Sequence, residues 1–226
     1  MSIMRPEDTE LKSNRPSFSE EQKLWNSGYK LVAGLDEVGR GTIAGPVVTG
    51  LVILPESLSG EWVSHINDSK RMTPKRRQYV LSHLQDNAIV LQTGISSVEE
   101  VDQFGIVEAV QLAMKRSLLS LSITPQFLLM DAFEVTGIDI PQKAIVRGDS
   151  LSMSIAAASI LAKETRDSMM IELHETFPEY GFDSHKGYGT KKHIEALKLY
   201  GPCSIHRRTF RPVSELLGGL DVVRSS

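Results

Sequence analysis

Four acidic residues pose the first chemical question in this 226-residue chain: Asp36, Glu37, Asp131 and Asp149. Asp36 and Glu37 stand side by side at the end of the apolar run Leu31-Val32-Ala33-Gly34-Leu35. Asp131 ends another apolar run, Phe127-Leu128-Leu129-Met130, and Asp149 precedes a long helical stretch. Strand ends on one side of an α/β sheet are where sites form. Carboxylates gathered there repel one another unless cations neutralise them, so a divalent oxygen-ligand site for Mg²⁺ or Mn²⁺ is the expected arrangement. Each acid also has a plainer reading. A bare Asp-Glu pair commonly marks a solvated strand edge, Asp131 could merely begin a turn, and Asp149 could cap a helix starting at Ser150. Neighbouring side chains of an ideal strand point to opposite faces, so Asp36 and Glu37 share one metal site only if the strand ends or distorts there. Asp167 is a rival ligand, but it lies 18 residues beyond Asp149, about 27 Å along one helix. Arg166 and Asp167 therefore read as structural or peripheral.

Just past the first two acids comes a glycine-bracketed arginine, Gly39-Arg40-Gly41, closed by Gly45-Pro46. Glycines let a backbone approach a ligand closely because no Cβ intervenes. Three basic clusters occur, at Lys70 to Arg77, His185 to His193 and His206 to Arg211. Each alone has the look of a solvated face. Three of them flanking acidic candidates suggest a phosphate track around an acidic centre. Thr190, Lys191 and Lys192 open a helix whose N-terminus could hold phosphate.

The elements that must position these residues follow from pattern and caps. Lys30 to Asp36 and Pro46 to Leu54 read as valine-rich strands joined by the glycine turn. Thr73-Pro74 caps and opens a helix to about Asp86. Ala88 to Ile95 is a third strand, and Ser97 with Glu100 forms a capping-box signature. The helix it starts should break near Gly105 and run on to Leu121. Phe127 to Met130 and Lys143 to Val146 are short strands, followed by a long helix from Ser150 to Thr176. The small side chains of Ile155 to Ser159 would let that helix lie close on a sheet. Helices over Thr190 to Leu199 and Val213 to Leu217 complete the chain. This succession predicts an α/β sheet with helices on its faces. Residues 1–28 are polar, with a helical patch at Ser19 to Trp25, and read as a loosely tethered extension.

Composition narrows the class. A net charge of −3 and a pI near 6.1 do not by themselves announce a nucleic-acid binder. The lone Cys203 forms no internal disulfide, and no Cys/His cluster points to zinc. No apolar segment approaches the roughly 18 residues of a membrane span, and no signal peptide is apparent. A reducing cytoplasm is the expected compartment.

The run GLDEVGRGTIAGP resembles the opening motif of type 2 ribonuclease H, the ribonuclease HII family. Further matches follow in order: NDSKRM at Asn67 to Met72, LLMDAF at Leu128 to Phe133, and RGDSLSMSIAAASILAKETRDSMM at Arg147 to Met170. They continue with YGFDSHKGYGT at Tyr180 to Thr190 and HRRTF at His206 to Phe210. The resemblance implies a ribonuclease H-like mixed five-stranded sheet flanked by helices, with a small helical C-terminal subregion. It implies a catalytic domain over 29–212 and a C-terminal helix and tail over 213–226. The family's active-site acids fall on Asp36, Glu37, Asp131 and Asp149, and its two divalent ions would be Mg²⁺ or Mn²⁺. Its turn that senses a ribose 2′-hydroxyl falls on Gly39, Arg40 and Gly41, and its sugar-stacking tyrosine on Tyr188. Lys70 and Thr190 would meet backbone phosphate. Arg147 stands where the family usually has lysine, which keeps the charge. The implied substrates are RNA/DNA hybrids and DNA duplexes carrying a single ribonucleotide, cut by a monomer to leave 5′-phosphate and 3′-hydroxyl ends. Two other readings are a ribonuclease HIII-type nuclease and a non-catalytic nucleic-acid-binding scaffold. Ribonuclease HIII would carry Gly-Thr-Gly at the turn and an extra N-terminal domain, for which the residues before Tyr29 are too few. A scaffold has no need of four intact acids.

Overall fold

The segment Val47-Val48-Thr49-Gly50-Leu51-Val52-Ile53 is β-branched enough to suit a strand buried on both faces. In the computed structural model, which describes residues 15–224, it is wholly buried. This strand, β2 (Val47–Ile53), pairs antiparallel with β1 (Val32–Val38), placing Asp36 opposite Gly50 and Glu37 opposite Thr49. β3 (Val90–Ser96) pairs antiparallel on the far side of β2. β4 (Phe127–Asp131) and β5 (Gln142–Ile145) add in parallel beyond β1. The result is the expected mixed five-stranded sheet, in the order β3-β2-β1-β4-β5.

Helices α1 (Ser19–Asn26), α2 (Pro74–Asn87), α3 (Val98–Leu119) and α4 (Met153–Thr176) surround the sheet. α5 (Phe182–His185), α6 (Lys191–Tyr200) and α7 (Val213–Arg224) form the C-terminal subregion. Ala33, Leu35, Leu51 and Ile53 bury against Val110, Ala113 and Met114 of α3. Val52 and Leu54 bury on the other face with Ala156, Ala157 and Ile160 of α4 and Val80 and Leu84 of α2. Each large apolar side chain so buried contributes about 1.5–3 kcal/mol. The small residues of α4 meet glycines in the strands: a Cβ on Gly34 would lie 2.1 Å from the carbonyl carbon of Ser154, and one on Gly50 2.2 Å from the carbonyl oxygen of Ala158. Among the described residues, no helix is long and apolar enough to cross a membrane.

Local signals account for most helix ends. Thr73 accepts from the Arg76 amide with Pro74 in the first turn, and Ser97 and Glu100 form a complete capping box. Gly105, at φ 82°, kinks α3 where the break was expected. Two expectations need correction. The long helix starts at Met153, capped by Ser152, while Gly148–Ser150 forms a separate 3₁₀ turn. Asp149 is therefore not a helix cap. The segment read as a loose extension is docked from its first described residues onward. Glu21 and Trp25 of α1 are buried, and Glu21 Oε1 accepts from the Ser152 hydroxyl and the Ser154 amide. A carboxylate at a helix N-terminus satisfies otherwise unpaired amides and complements the dipole. Residues 1–14 and 225–226 lie outside the described residues.

Candidate active site

Asp36, Asp131 and Asp149 converge: one carboxylate oxygen from each lies within 4.8 Å of the others. Three elements bring them there. Asp36 lies on the α4 face of β1, Asp131 ends the adjacent parallel strand, and the 3₁₀ turn after β5 presents Asp149. The Gly148 amide donates to Asp131 Oδ1 at 2.8 Å, tying the second acid to the turn that holds the third. Ala132 and Arg147, beside this junction, adopt positive φ of 66° and 57°. Such conformations are costly for residues with a Cβ and cluster at functional sites.

Glu37 is not in this three-oxygen group. β1 continues in register to Val38, so strand alternation sends Glu37 to the α3 face, beside Ala33 and Leu35 in phase. Its Oε1 meets Arg40 Nη1 at 3.2 Å, and its Oε2 is buried without a hydrogen-bond partner. Burial pushes the Asp36 carboxyl well above the usual range, and the nearby Glu37, Asp131 and Asp149 charges add to it against a Ser159 hydrogen bond. Burial also raises Glu37 against the opposing pull of Arg40, and raises Asp131 against the Gly148 amide. Lys70 Nζ, 3.5 Å from Asp149 Oδ2, is a near ammonium. Burial opposes its charge, but Asp149, Asp36 and Asp68 outweigh that and raise its pKa. Three clustered carboxylates and an orphaned buried fourth carboxylate oxygen fit a divalent cation, a hard ion that takes oxygen ligands.

Of the predicted substrate residues, Lys70 meets Asp149 and Arg40 meets Glu37, while Gly39, Gly41, Tyr188 and Thr190 lie on turns and loops of their own. Gly39 has φ 98°, and a Cβ there would lie 2.6 Å from the Pro46 carbonyl oxygen. Gly41 has no neighbour within 4 Å of where its Cβ would stand, so the turn is open at that point. Arg40 lies over the Phe133 ring at 5.1 Å. Lys70 sits exposed on the turn Ser69–Arg71, where the Asp68 side chain accepts from its amide. Tyr188 is exposed, and the preceding Gly187 carbonyl accepts from the Ile43 amide at 3.0 Å, which joins the tyrosine loop to the glycine turn. Thr190 caps α6 through the His193 amide, leaving Lys191 and Lys192 exposed in its first turn.

Residues 33–213 match the ribonuclease HII family. The chain is 46% identical over 201 residues to the ribonuclease HII of Dehalococcoides mccartyi, spanning 89% of this chain and 95% of that one. The chain belongs to the ribonuclease HII family. It is also 49% identical over 197 residues to the ribonuclease HII of Chlamydia abortus, spanning 87% and 91%. The ribonuclease H2 structure from Pyrococcus horikoshii superposes with a TM-score of 0.69 at 27% identity, over 84% of this chain and 98% of that one. A Bst-RNase HIII structure at 14% identity and TM-score 0.63 shares the fold alone. Ribonuclease HII enzymes are endoribonucleases acting on RNA/DNA hybrids, so this chain is a hydrolytic nuclease.

Two residues of this ribonuclease HII fold carry a role that charge alone did not disclose. Arg166 and Arg207 are fully buried and hydrogen-bond to carbonyls and a hydroxyl instead of carboxylates. Arg166 donates to the carbonyls of Pro46, Ala44 and Lys186 and to the Thr42 hydroxyl. Arg207 donates to the carbonyls of Arg40, Thr42 and Gly45. Burial pushes Arg166 down to about 10 and Arg207 to about 9. Together they hold the glycine turn with its carbonyls facing inward. Arg166 is thus structural, as read, but not peripheral. The phosphate-track reading of the basic clusters narrows accordingly, because Arg207 faces inward and Arg77 is buried against Glu164 and Asp167. Asp167 accepts from Arg77 and Lys163, which confirms its structural role.

Proposed function

We propose that this ribonuclease HII-family chain cuts the RNA strand of RNA/DNA hybrids and also cuts on the 5′ side of a single ribonucleotide embedded in duplex DNA. The observation that carries this reading is the convergence of Asp36, Asp131 and Asp149 next to a turn whose backbone is open at Gly41. Asp36, Asp131 and Asp149, with Glu37 Oε2 reaching from the other face, would hold two Mg²⁺ or Mn²⁺ ions. When bound, such a pair supplies Lewis-acid activation of a water and a charge sink for the leaving 3′-oxygen. The chain's own groups do the rest. The turn from Gly39 to Gly41, its carbonyls held inward and its backbone open at Gly41, meets the 2′-hydroxyl that separates RNA from DNA. Tyr188 stacks on the sugar at the junction, and Lys70 holds a phosphate beside Asp149. A reader of one hydroxyl needs only one ribose, whereas a reader of A-form shape needs a run of them.

Arg40, at the position where ribonuclease HIII-type turns carry threonine, sides with the type 2 reading, and four intact acids do not suit a scaffold. Residues 29–212, with α1 docked on them, make up the catalytic unit in this account, acting as a monomer. Cleavage of a hybrid should stop in excess EDTA and return with Mg²⁺ or Mn²⁺, because the cluster offers only carboxylate oxygens. Mn²⁺ titration followed calorimetrically should give two sites in the presence of a non-cleavable hybrid. Cleavage that persists in excess chelator would end the metal-dependent account.

A further inference from the structure

Three histidines that the acidic site does not use lie behind Tyr188. His185 stacks on His193 with ring centroids 4.2 Å apart, and His193 Nε2 lies 3.0 Å from His206 Nε2. Phe182 packs edge-on against His193, and His193 and His206 are buried. Their hydrogen-bond partners fix the position of each ring proton. The Cys203 amide donates to His206 Nδ1 at 3.0 Å, so that nitrogen is bare and the proton sits on Nε2. His206 Nε2–H then donates to His193 Nε2, which leaves the His193 proton on Nδ1. There the Tyr188 carbonyl accepts it at 2.8 Å. Burial pushes both rings down to about 4, which keeps them neutral and the direction of the chain unambiguous.

The other end of this chain reaches the glycine turn. His206 forms a backbone bridge with Ala44, and the Arg207 amide donates to the Ile43 carbonyl at 2.9 Å. We infer that His193 and His206 are positioning residues: their one-way hydrogen-bond chain sets the placement of Tyr188 relative to the Gly39–Gly41 turn, and with it the fit for a single ribose at a DNA junction. This rests on the sugar-stacking reading of Tyr188 given above. A purely structural role for the histidines would stabilise the subregion without acting through Tyr188, and the two are separable.

The test is a double-mutant cycle on a DNA duplex carrying one ribonucleotide, with Mg²⁺ present. His193→Phe keeps a ring against His185 and Phe182 but removes both hydrogen bonds. It should lower kcat/KM by between about tenfold and a hundredfold, the range that misplacement of a substrate-positioning group brings. Tyr188→Ala should lower it at least as much, and adding His193→Phe to Tyr188→Ala should change nothing further, because the positioned group is gone. His206→Gln, which retains an N–H able to reach His193, should restore near-normal turnover where His206→Ala does not. Additive losses in the double mutant, or a normal rate in His193→Phe beside a slow Tyr188→Ala, would overturn the positioning role while sparing Tyr188. A normal rate in Tyr188→Ala would remove the Tyr188 reading and this inference together. Should His193→Phe not fold, nitrogen NMR of the wild-type rings decides: Nδ1–H on His193 and Nε2–H on His206 are expected, and the opposite tautomers would refute the chain.

Discussion

Asp36→Asn should yield a folded protein whose cleavage rate has dropped by at least about a thousandfold, or roughly 4 kcal/mol at about 1.4 kcal/mol per tenfold. Asp36 is buried and central among the acids, and burial holds its carboxyl well above its ordinary range. An amide keeps its shape and still accepts from the Glu37 amide, which now donates to Oδ1 at 2.7 Å. What it loses is the negative charge a divalent ion requires. The same change should stabilise the metal-free protein. A carboxyl whose pKa is raised on folding binds more protons folded than unfolded near that value. Its contribution to stability therefore falls as pH rises from the ordinary carboxylate range through the raised value, and stays unfavourable above it. Asparagine removes that liability. At pH 7 the metal-free mutant should melt above metal-free wild type, and added Mn²⁺ should raise the melting temperature of wild type more. Near-normal turnover in Asp36→Asn would discard the metal-site assignment.

Arg166→Met should cost about 3–5 kcal/mol of stability, the size expected when one donor serving several buried acceptors is removed. Methionine fills much of the volume but leaves the carbonyls of Pro46, Ala44 and Lys186 without their donor. Each buried acceptor so orphaned costs about 1–3 kcal/mol. Lysine should rescue poorly, because one ammonium cannot span partners that a planar fork reaches on three sides. The glycines make the site for that fork. A Cβ would lie 2.5 Å from Arg166 Nε at Gly39, 3.1 Å from its Nη2 at Gly45 and 3.4 Å from it at Gly187, and all three have positive φ. Because Arg166 joins the turn to the tyrosine loop, activity on a single ribonucleotide should fall even at temperatures where the mutant is folded. An unchanged urea midpoint would show that the carbonyls find other donors and that the arginine is dispensable.

The sheet was legible because strand chemistry is local. Valine-rich runs, the Thr73-Pro74 and Ser97-Glu100 caps and the glycine at 105 each act within a few residues. Asp131 was legible because it ends an apolar run and its strand, and Asp36 and Glu37 because they follow one near the end of β1. The sidedness of Glu37 was not, since it depends on β1 staying paired to Val38, a property of the partner strand. Asp149 looked like a cap because a helical run follows it, whereas Gly148–Ser150 forms its own turn and the Ser152 hydroxyl is the group that accepts from the Ile155 amide. Arg166 and Arg207 were opaque for another reason. A buried arginine and a solvated one read alike in a charged run, and only the three glycines that surround Arg166 hinted at a close approach. The docking of α1 was hidden by polar composition, with Leu24 and Trp25 its apolar signals.

The most direct test uses a DNA duplex with one ribonucleotide, purified protein and Mg²⁺, with the cut mapped and its ends typed. Cleavage is expected on the 5′ side of the ribonucleotide, leaving a 3′-hydroxyl and a 5′-phosphate, abolished by EDTA and absent on the all-DNA duplex. A protein that cuts long RNA/DNA hybrids yet leaves this duplex whole would contradict it, because the turn and Tyr188 would then not be reading a single ribose.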